Sequence, residues 1–276
     1  MKHIIYYHKN CPDGQFGAFE AWKYFKNIDE NVLYIPISTE DSVELNYNNS
    51  IIYFIDVFPK NLQNKQILDK AALNNKIVII DHHKNCMKFL LNYYNDNVIK
   101  FTETNKSGVS LANEFFKNKR EFYVNYIEDW DLFKFEYKET EDFHYFIDSL
   151  ESLDFIYLDE LFKNISEKEC IIKGNIFKQY SETLIKRLLK NEYFTYITGK
   201  KIPCINSAVF ISELGNRLSE KYKNEYPYVI IENKYEGYTK YSLRTVREDI
   251  DLSSEAFKFG GGGHKKAAGF IIKENI

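Results

Sequence analysis

The sequence predicts an α/β protein of two domains, because its first part alternates between strand and helix patterns and its last part returns to strands. The chain has 276 residues, enough for one large or two ordinary domains. The alternation favours a mainly parallel sheet with helical crossovers, flanked by helices. We therefore expect an N-terminal domain over 1–191 and a smaller, mixed α/β domain over 192–276.

In the N-terminal domain, strand and helix patterns follow each other closely. Mostly apolar runs predict strands over 3–8, 32–37, 51–57, 77–81 and 98–102. Helical patterns cover 14–25, 62–73 and 121–130, and another helix begins near Ser107 or Gly108. The carboxyl ends of parallel strands meet at one edge of a sheet, where α/β proteins bind ligands. Polar residues at these strand ends are therefore candidate site residues.

The rest of the chain predicts a helical connector and then the second domain. Residues 143–191 contain no proline and consist mostly of helix formers, so we expect two or three helices, the last over 167–191. Beyond the connector, strand patterns cover 193–198, 203–208, 228–232 and 241–246, with a helix over 211–223. A final apolar strand follows a run of glycines near the C-terminus.

Composition and charge restrict the partners of the protein. Hydrophobic residues make up 44% and aromatic residues 17% of the chain, which disfavours disorder. The formal net charge is only −3, so the chain lacks the overall positive field that binding to long duplex nucleic acid usually requires. Small or short substrates are favoured, and duplex DNA is not an expected partner.

Cysteine usage and hydropathy predict a cytoplasmic location. Cys11, Cys86, Cys170 and Cys204 have no paired spacing, so neither a zinc knuckle nor a disulfide framework is indicated. The first residues contain no signal-peptide core, and no apolar window approaches the ~18 residues of a membrane span. We expect no secretion and no membrane partner.

The strongest motif is an apolar strand that ends in Asp81, His82 and His83. A carboxylate beside two imidazoles offers the oxygen and nitrogen ligands that bind Mn, Fe or Zn. Adjacent histidines can also simply follow a strand and face water. The metal interpretation gains weight from polar residues at two other strand ends.

Those other strand ends carry His8, Asp13 and Asp56. The segment HKNCPDG joins the first strand to the first helix and brings His8 close to Asp13. Asp56 ends a second apolar run, where burial of a carboxylate is costly unless it is paired or bound to metal. Asp13 has an alternative role as a helix cap.

Near the end of the predicted helix 121–130, Asp129 and Asp131 lie in an aromatic setting, in the segment YIEDWDLF. Either acid can complete a metal cluster, and both can equally be solvated acids at a helix end. The sequence does not choose between them.

The second domain contains a candidate phosphate site at Gly260, Gly261, Gly262 and Gly263, followed by His264. Glycines let backbone amides surround phosphate oxygens, although a flexible linker is the ordinary interpretation of such a run. Arg244 lies at the centre of a predicted strand, and a guanidinium binds phosphate through two hydrogen bonds. The alternative for Arg244 is a surface ion pair.

Taken in order, these motifs resemble the DHH phosphoesterase superfamily, in the subgroup with a DHH-associated C-terminal domain, which includes oligoribonuclease and exopolyphosphatase-related proteins. The resemblance covers nearly the whole chain and rests on HKNCPDG, Asp56, the triplet Asp81-His82-His83, EDWD, SLR and GGGGH. It implies two domains with an active-site cleft between them. It also implies two metal ions, Mn²⁺ or a similar ion, on the first domain and a phosphate grip on the second, with Mg²⁺ and Co²⁺ as alternative ions.

The resemblance also implies roles for individual residues. The metal ligands are His8, Asp13, Asp56, His82 and Asp129, with Asp56 as the bridge between two ions. The triplet carries the catalytic residues, in which Asp81 and His83 support or contact the substrate beside His82. The substrate phosphate is held by Arg244, Gly261, Gly262, Gly263 and His264.

One departure from the family pattern is Gln15, where the family commonly has a second acid two residues after the position of Asp13. A neutral amide binds a divalent ion less well than a carboxylate. The second metal site is therefore in doubt, and either Asp131 or a water fills the missing position.

The leading hypothesis is hydrolysis of a phosphodiester in a short single-stranded oligonucleotide or a small nucleotide such as a cyclic dinucleotide or phosphorylated nucleoside. A first alternative is a phosphoanhydride hydrolase acting on polyphosphate or pyrophosphate. A second is a non-catalytic nucleotide-binding module in which Gln15 reflects lost catalysis. The sequence leaves the oligomeric state open between monomer and homodimer.

Overall fold

The computed structural model describes residues 1–28 and 31–273, and its first sheet consists of five parallel strands. The strand order is β2-β1-β3-β4-β5, with every neighbouring pair parallel. The strands are β1 (Lys2–His8), β2 (Val32–Ile37), β3 (Ser50–Ile55), β4 (Asn75–Asp81) and β5 (Val98–Thr102). The carboxyl ends of β1, β3 and β4 therefore lie side by side at one edge.

Helices cover both faces of this sheet, because successive strand residues point to opposite sides. On one face, Ile4, Ile52 and Ile79 pack with α2 (Lys65–Ala72) and α3 (Lys84–Leu91). On the other face, their neighbours Ile5 and Ile80 pack with α1 (Pro12–Phe25) and α4 (Gly108–Phe115). Burial on both faces explains why the strands are continuous apolar runs in the sequence.

The predicted strand 51–57 ends two residues early, at Ile55, because the backbone turns at Asp56. Asp56 has φ = 58°, in the left-handed region that extended strands exclude. Helix 62–73 is also divided, into a 3₁₀ turn Lys60–Leu62 and α2. The remaining predicted strands and helices of this part occur, with ends shifted by a few residues.

A second layer of helices packs against the outer side of α1. Phe16 and Phe19 of α1 contact a core formed by α5 (Phe122–Asp131) and the helices that follow it. Those helices are α6 (Thr140–Asp148), α7 (Phe155–Asn164) and α8 (Glu167–Leu188), as the sequence predicts for the connector. This layer holds the end of α5 close to the start of α1.

The second sheet has six strands in the order β10-β11-β9-β8-β7-β6, mixed because β7 and β8 are parallel and the other pairs antiparallel. Its strands are β6 (Tyr193–Ile197), β7 (Lys200–Asn206), β8 (Val229–Tyr235), β9 (Tyr238–Arg244), β10 (Gly262–Gly263) and β11 (Ala267–Lys273). Helices α9 (Ile211–Tyr222) and α10 (Leu252–Phe257) flank it.

The chain divides into two units, residues 1–178 and 179–276, and the division falls inside α8. A parallel first sheet and a smaller mixed second unit confirm the predicted fold class. The domain boundary at residue 191 and the cleft between domains stay predictions. Among residues 1–28 and 31–273, no helix has both the length and the apolar composition needed to cross a membrane.

Gly174 in α8 offers a test of the helical layer. A Cβ at this position would lie 1.8 Å from the carbonyl oxygen of Asp142 in α6, so α8 would have to move away. We expect Gly174→Ala to destabilise the protein by about 1 to 3 kcal/mol, measured by thermal or denaturant unfolding. The exposed neighbour is the control, and Lys173→Ala should leave stability nearly unchanged. Equal stability of the two variants would contradict this packing.

Candidate functional site

The carboxyl ends of three neighbouring strands bring together most of the predicted metal ligands. His8 ends β1, Asp56 follows β3, and His82 follows β4. Asp13 enters from the first turn of α1, which begins close to β1 because Gly14 has no side chain. A Cβ on Gly14 would lie 2.5 Å from the carbonyl oxygen of His8, which leaves room only for glycine.

Asp56 lies at the centre of this cluster and is only 1% exposed. Its Oδ2 is 3.2 Å from His8 Nδ1, and its Oδ1 is 3.1 Å from His82 Nε2 and 3.7 Å from His83 Nδ1. Burial raises the pKa of Asp56, but the hydrogen bonds with His8 and His82 outweigh burial and lower that pKa to about 2. The carboxylate is therefore ionised and shared by imidazoles from two strands.

Asp13 is held by the amino end of α4 instead of capping its own helix. Its oxygens accept hydrogen bonds from the backbone N–H groups of Gly108 (2.5 Å) and Val109 (2.9 Å). Asp13 Oδ2 also lies 3.6 Å from His82 Nε2. Burial, followed by the charges of Asp56 and Asp131, holds the pKa of Asp13 well above its usual value. Asp13 therefore belongs to a cluster with surplus negative charge.

The structure brings Asp131, and not Asp129, to this cluster. Asp131 Oδ2 lies 3.4 Å from His82 Nε2, and Asp13, His82 and Asp131 have ligand atoms close enough to share one ion. Burial and the charge of Asp56 raise the pKa of Asp131. Its buried Oδ2 makes no hydrogen bond with any residue in the described part of the chain. A buried oxygen left without a donor fits a position that binds a cation.

Asp129 lies on another side of α5 and shapes the following loop. It accepts hydrogen bonds from the backbone N–H of Glu136 (2.8 Å) and of Tyr137 (3.4 Å), and from the hydroxyl of Thr140. Both carboxylate oxygens are thus used inside the protein. The sequence assigned the ligand role to Asp129 through the resemblance, and the geometry instead favours Asp131.

His83 is oriented by Asp81, which is buried behind it. The Oδ1 atom of Asp81 accepts from the backbone N–H of His83 (2.9 Å) and lies 2.8 Å from His83 Nδ1. This hydrogen bond raises the pKa of His83, although burial acts in the opposite direction. Asp81 therefore fixes Nδ1 of a ring that is half exposed.

Two further residues near the cluster differ from expectation. Gln15 donates from Nε2 to the carbonyl oxygen of Leu153 (2.7 Å), so its amide serves packing between α1 and the segment before α7. Cys11, which the sequence left without a role, groups with His8 and Asp56. Burial and then the charge of Asp56 raise the pKa of the Cys11 thiol to about 12. The proximity of Cys11 to His8 and Asp56 is a property of the fold, and the spacing of these residues in the sequence does not show it.

These donors fit divalent metal ions. Three carboxylates, Asp13, Asp56 and Asp131, converge with the imidazoles of His8 and His82. Such oxygen and nitrogen ligands suit Mn²⁺, Mg²⁺, Co²⁺ or Zn²⁺. Burial and, after it, the charges of neighbouring carboxylates raise the pKa values of Asp13 and Asp131. A bound cation would relieve the repulsion between these carboxylates.

In the second unit, Arg244 and the glycine run lie on neighbouring strands. Arg244 ends β9 opposite Ala267 of β11, and Gly262 and Gly263 pair back onto the same strand. His264 closes the turn through its backbone N–H, which donates to the carbonyl oxygen of Ala267 (2.8 Å). The structure therefore places these predicted phosphate ligands at one end of the sheet.

The Arg244 guanidinium forms no ion pair with the described residues, so the alternative role in a surface ion pair finds no support there. It donates to its neighbour's carbonyl oxygen, Leu243 O (2.9 Å), and lies 3.4 Å from Ser212 Oγ in α9. Burial lowers the pKa of Arg244, although the charge of Glu213 acts in the opposite direction. Gly215 makes room for this side chain, because a Cβ there would lie 2.3 Å from Arg244 Cγ.

Comparison with known proteins agrees with this architecture. The DHHA1 domain model matches residues 206–276. An uncharacterised protein of Acanthamoeba polyphaga mimivirus is 26% identical over 289 residues, covering 98% of this chain and 67% of that protein. The oligoribonuclease NrnB of Bacillus subtilis is 24% identical over 251 residues, covering 83% of this chain and 61% of NrnB. The chain thus spans about two thirds of the length of these relatives.

Two solved structures share the fold. The pGpG-specific phosphodiesterase PggH of Vibrio cholerae has a TM-score of 0.52 at 12% identity, covering 99% of this chain and 94% of PggH. The exonuclease RecJ bound to manganese also has a TM-score of 0.52 at 12% identity, covering 99% of this chain and 86% of RecJ. The DHHA1 match over residues 206–276 and the similarity to NrnB confirm the resemblance to the DHH phosphoesterase superfamily seen in the sequence.

Replacing each of the two acids at the end of α5 by asparagine distinguishes a metal ligand from a structural residue. Asp131→Asn should weaken binding of Mn²⁺ by at least about tenfold with little change in stability, because a charged ligand is lost. Asp129→Asn should chiefly lower stability, because the loop after α5 loses a buried acceptor. Isothermal titration with Mn²⁺ and thermal unfolding measure both effects. Loss of metal from Asp129→Asn alone would return the ligand role to Asp129.

Proposed function

We propose that this protein is a divalent-metal-dependent phosphodiesterase that hydrolyses short oligonucleotides or small nucleotides. The observation that carries the proposal is the convergence of three carboxylates and two imidazoles at the end of the parallel sheet. Asp56 contacts both imidazoles, while Asp13 and Asp131 approach the same His82 nitrogen. A structural ion pair would not require three acids in one buried place.

Asp56 is the proposed ligand shared between two ions, with His8 at its Oδ2 and His82 at its Oδ1. Asp13 and Asp131 are the proposed further ligands on the side of His82. Mn²⁺ is the proposed ion, with Mg²⁺ or Co²⁺ as alternatives, and when bound it would activate a water and stabilise charge on the phosphodiester. Asp56 has a left-handed backbone conformation, and its carboxylate contacts both histidines. Asp131 takes the place of the acid that the family has two residues after Asp13, so Gln15 does not by itself remove the second site.

His83 is the proposed contact to the substrate. Asp81 holds its ring through Nδ1 and favours the protonated imidazole, so His83 can donate from Nε2 to a phosphate oxygen. Arg244 and the turn Gly261 to His264 are the proposed phosphate grip of the second unit. A guanidinium that forms no ion pair with the described residues suits an anion that arrives with the substrate.

The substrate class rests on charge and on the sequence relative of known name. NrnB is named an oligoribonuclease, and similarity to it favours an oligonucleotide. A net charge of −3 disfavours long duplexes and favours short, single-stranded substrates. Polyphosphate and pyrophosphate need the same metals and phosphate grip, so a direct comparison of substrates has to separate them. The retained acids and histidines argue against a non-catalytic binding module.

The proposal is tested by metal-dependent hydrolysis of a substrate panel. Short RNA, a cyclic dinucleotide, a phosphorylated nucleoside and polyphosphate are incubated with the protein after EDTA treatment and again after Mn²⁺ is restored. We expect hydrolysis of a phosphodiester only with metal, and loss of bound metal and activity in Asp56→Ala. Turnover restricted to polyphosphate would favour the phosphoanhydride hydrolase. Full metal content and activity in Asp56→Ala would contradict the assigned cluster.

The phosphate grip makes a separate prediction. Arg244→Ala should raise KM for a 5′-phosphorylated dinucleotide by roughly 30- to 150-fold, since a charge-assisted contact is worth on the order of 2 to 3 kcal/mol, with metal content unchanged. Gly262→Ala is the sharper probe, because a Cβ there meets nothing within 4 Å in the protein itself. A higher KM at normal stability would therefore report the ligand. Parental kinetics for both variants would exclude this turn as the grip.

A further inference from the structure

The loop that follows α5 exposes two aromatic rings next to the acid cluster, which consists of Asp13, Asp56 and Asp131. Phe133 and Phe135 are 76% and 51% exposed, and they lie two and four residues after Asp131. Their rings are in edge contact, with centroids 6.2 Å apart. Large apolar side chains exposed together near a site usually have a partner.

The backbone of this loop is strained at both phenylalanines. Phe133 has φ = 52° and Phe135 has φ = 50°, a conformation that bulky residues rarely adopt. The loop is fixed by Asp129, whose buried carboxylate accepts from Glu136, Tyr137 and Thr140. A buried carboxylate thus maintains a conformation that presents aromatic rings to solvent. Packing of the protein core does not account for this arrangement.

The aromatic rings connect to the acid cluster through Trp130. Phe135 packs edge-on against Trp130, with centroids 5.7 Å apart. Trp130 in turn lines a cavity of about 110 Å³ together with Asp13 and Asp131. Trp130 therefore links the acids to the exposed ring of Phe135.

We propose that Phe133 and Phe135, hereafter the aromatic loop, stack against the nucleobases of a single-stranded substrate whose phosphate lies at the acid cluster. The inference rests on the proposed phosphodiesterase function and specifies how it recognises a nucleotide. Every base has a flat π surface, so stacking on phenylalanine holds a base without selecting its identity. Lys134 does not add a free charge, because its Nζ contacts Asn105 O (3.2 Å) and Glu128 Oε1 (3.3 Å).

The sharpest test is Phe133→Gly, because this substitution should affect stability and substrate binding in opposite directions. Glycine adopts a positive φ without strain, so the unfolding temperature should stay equal or rise. KM for a ribodinucleotide should rise about tenfold, since stacking of one base is lost. The unfolding temperature and steady-state kinetics are measured on the full chain loaded with Mn²⁺. Phe135→Gly should behave in the same direction.

Two control variants separate the causes. Lys117 also has a positive φ, 54°, so Lys117→Gly should match the effect on stability with no change in KM. Tyr94 is an aromatic residue that is 80% exposed, and Tyr94→Ala should leave KM unchanged. A dinucleotide with one abasic residue provides the substrate control. Phe133→Gly should alter KM for the complete dinucleotide much more than KM for its abasic form.

Several outcomes would overturn the inference. An equal rise in KM for the complete and the abasic dinucleotide, or an unchanged KM in both glycine variants, would show that the loop binds no base. A change in oligomeric mass with unchanged KM would assign the rings to a contact between copies of the chain. Binding of a labelled short RNA made resistant to hydrolysis, measured on the Mn²⁺-loaded protein with and without Phe133→Gly, keeps the test independent of turnover. Weaker RNA binding in Phe133→Gly supports the aromatic loop even if hydrolysis is never detected.

Discussion

The site depends on one buried carboxylate that the fold forces to stay charged. Asp56 is 1% exposed, and its neighbours along the chain are core residues of the parallel sheet. An isolated carboxylate in such a place would become neutral or destabilise the fold. It stays ionised because His8 and His82 reach it from the two strands beside β3. The strand order β1-β3-β4 is therefore a requirement of the chemistry as well as of the packing.

The acids around Asp56 are stabilised unequally, which explains how they can be so close. Asp13 receives two backbone N–H groups at the start of α4, where the helix dipole also favours negative charge. Gly108 is needed for this approach, since a Cβ on it would lie 2.5 Å from Asp56 Cβ and 2.8 Å from Asp13 Oδ2. Asp131 has no such support and keeps a buried oxygen without a hydrogen-bond donor. The remaining imbalance of charge is what a divalent cation would satisfy.

The sequence predicted the parallel sheet and the positions of His8, Asp56 and His82, because apolar strands that end in polar residues are a local and periodic signal. It could not distinguish Asp129 from Asp131. Both end α5, and the choice depends on how the following loop folds back onto one of them. That loop has left-handed residues at Phe133 and Phe135, where glycine or asparagine would have indicated a turn. The early end of β3 escaped prediction for the same reason, because Asp56 itself takes the left-handed conformation.

The glycine run shows how packing and ligand binding can be separated within one motif. Gly261 and Gly263 are required by the fold, because a Cβ on either would lie within 2.6 Å of a backbone oxygen on β11. Gly262 lies between them, exposed, with nothing near its missing Cβ. Packing against β11 accounts for Gly261 and Gly263 without any ligand. The phosphate interpretation therefore depends on Gly262 and on Arg244. Gly215 supports this view, since its missing side chain leaves the space in which the Arg244 side chain lies against α9 without an ion pair to the described residues.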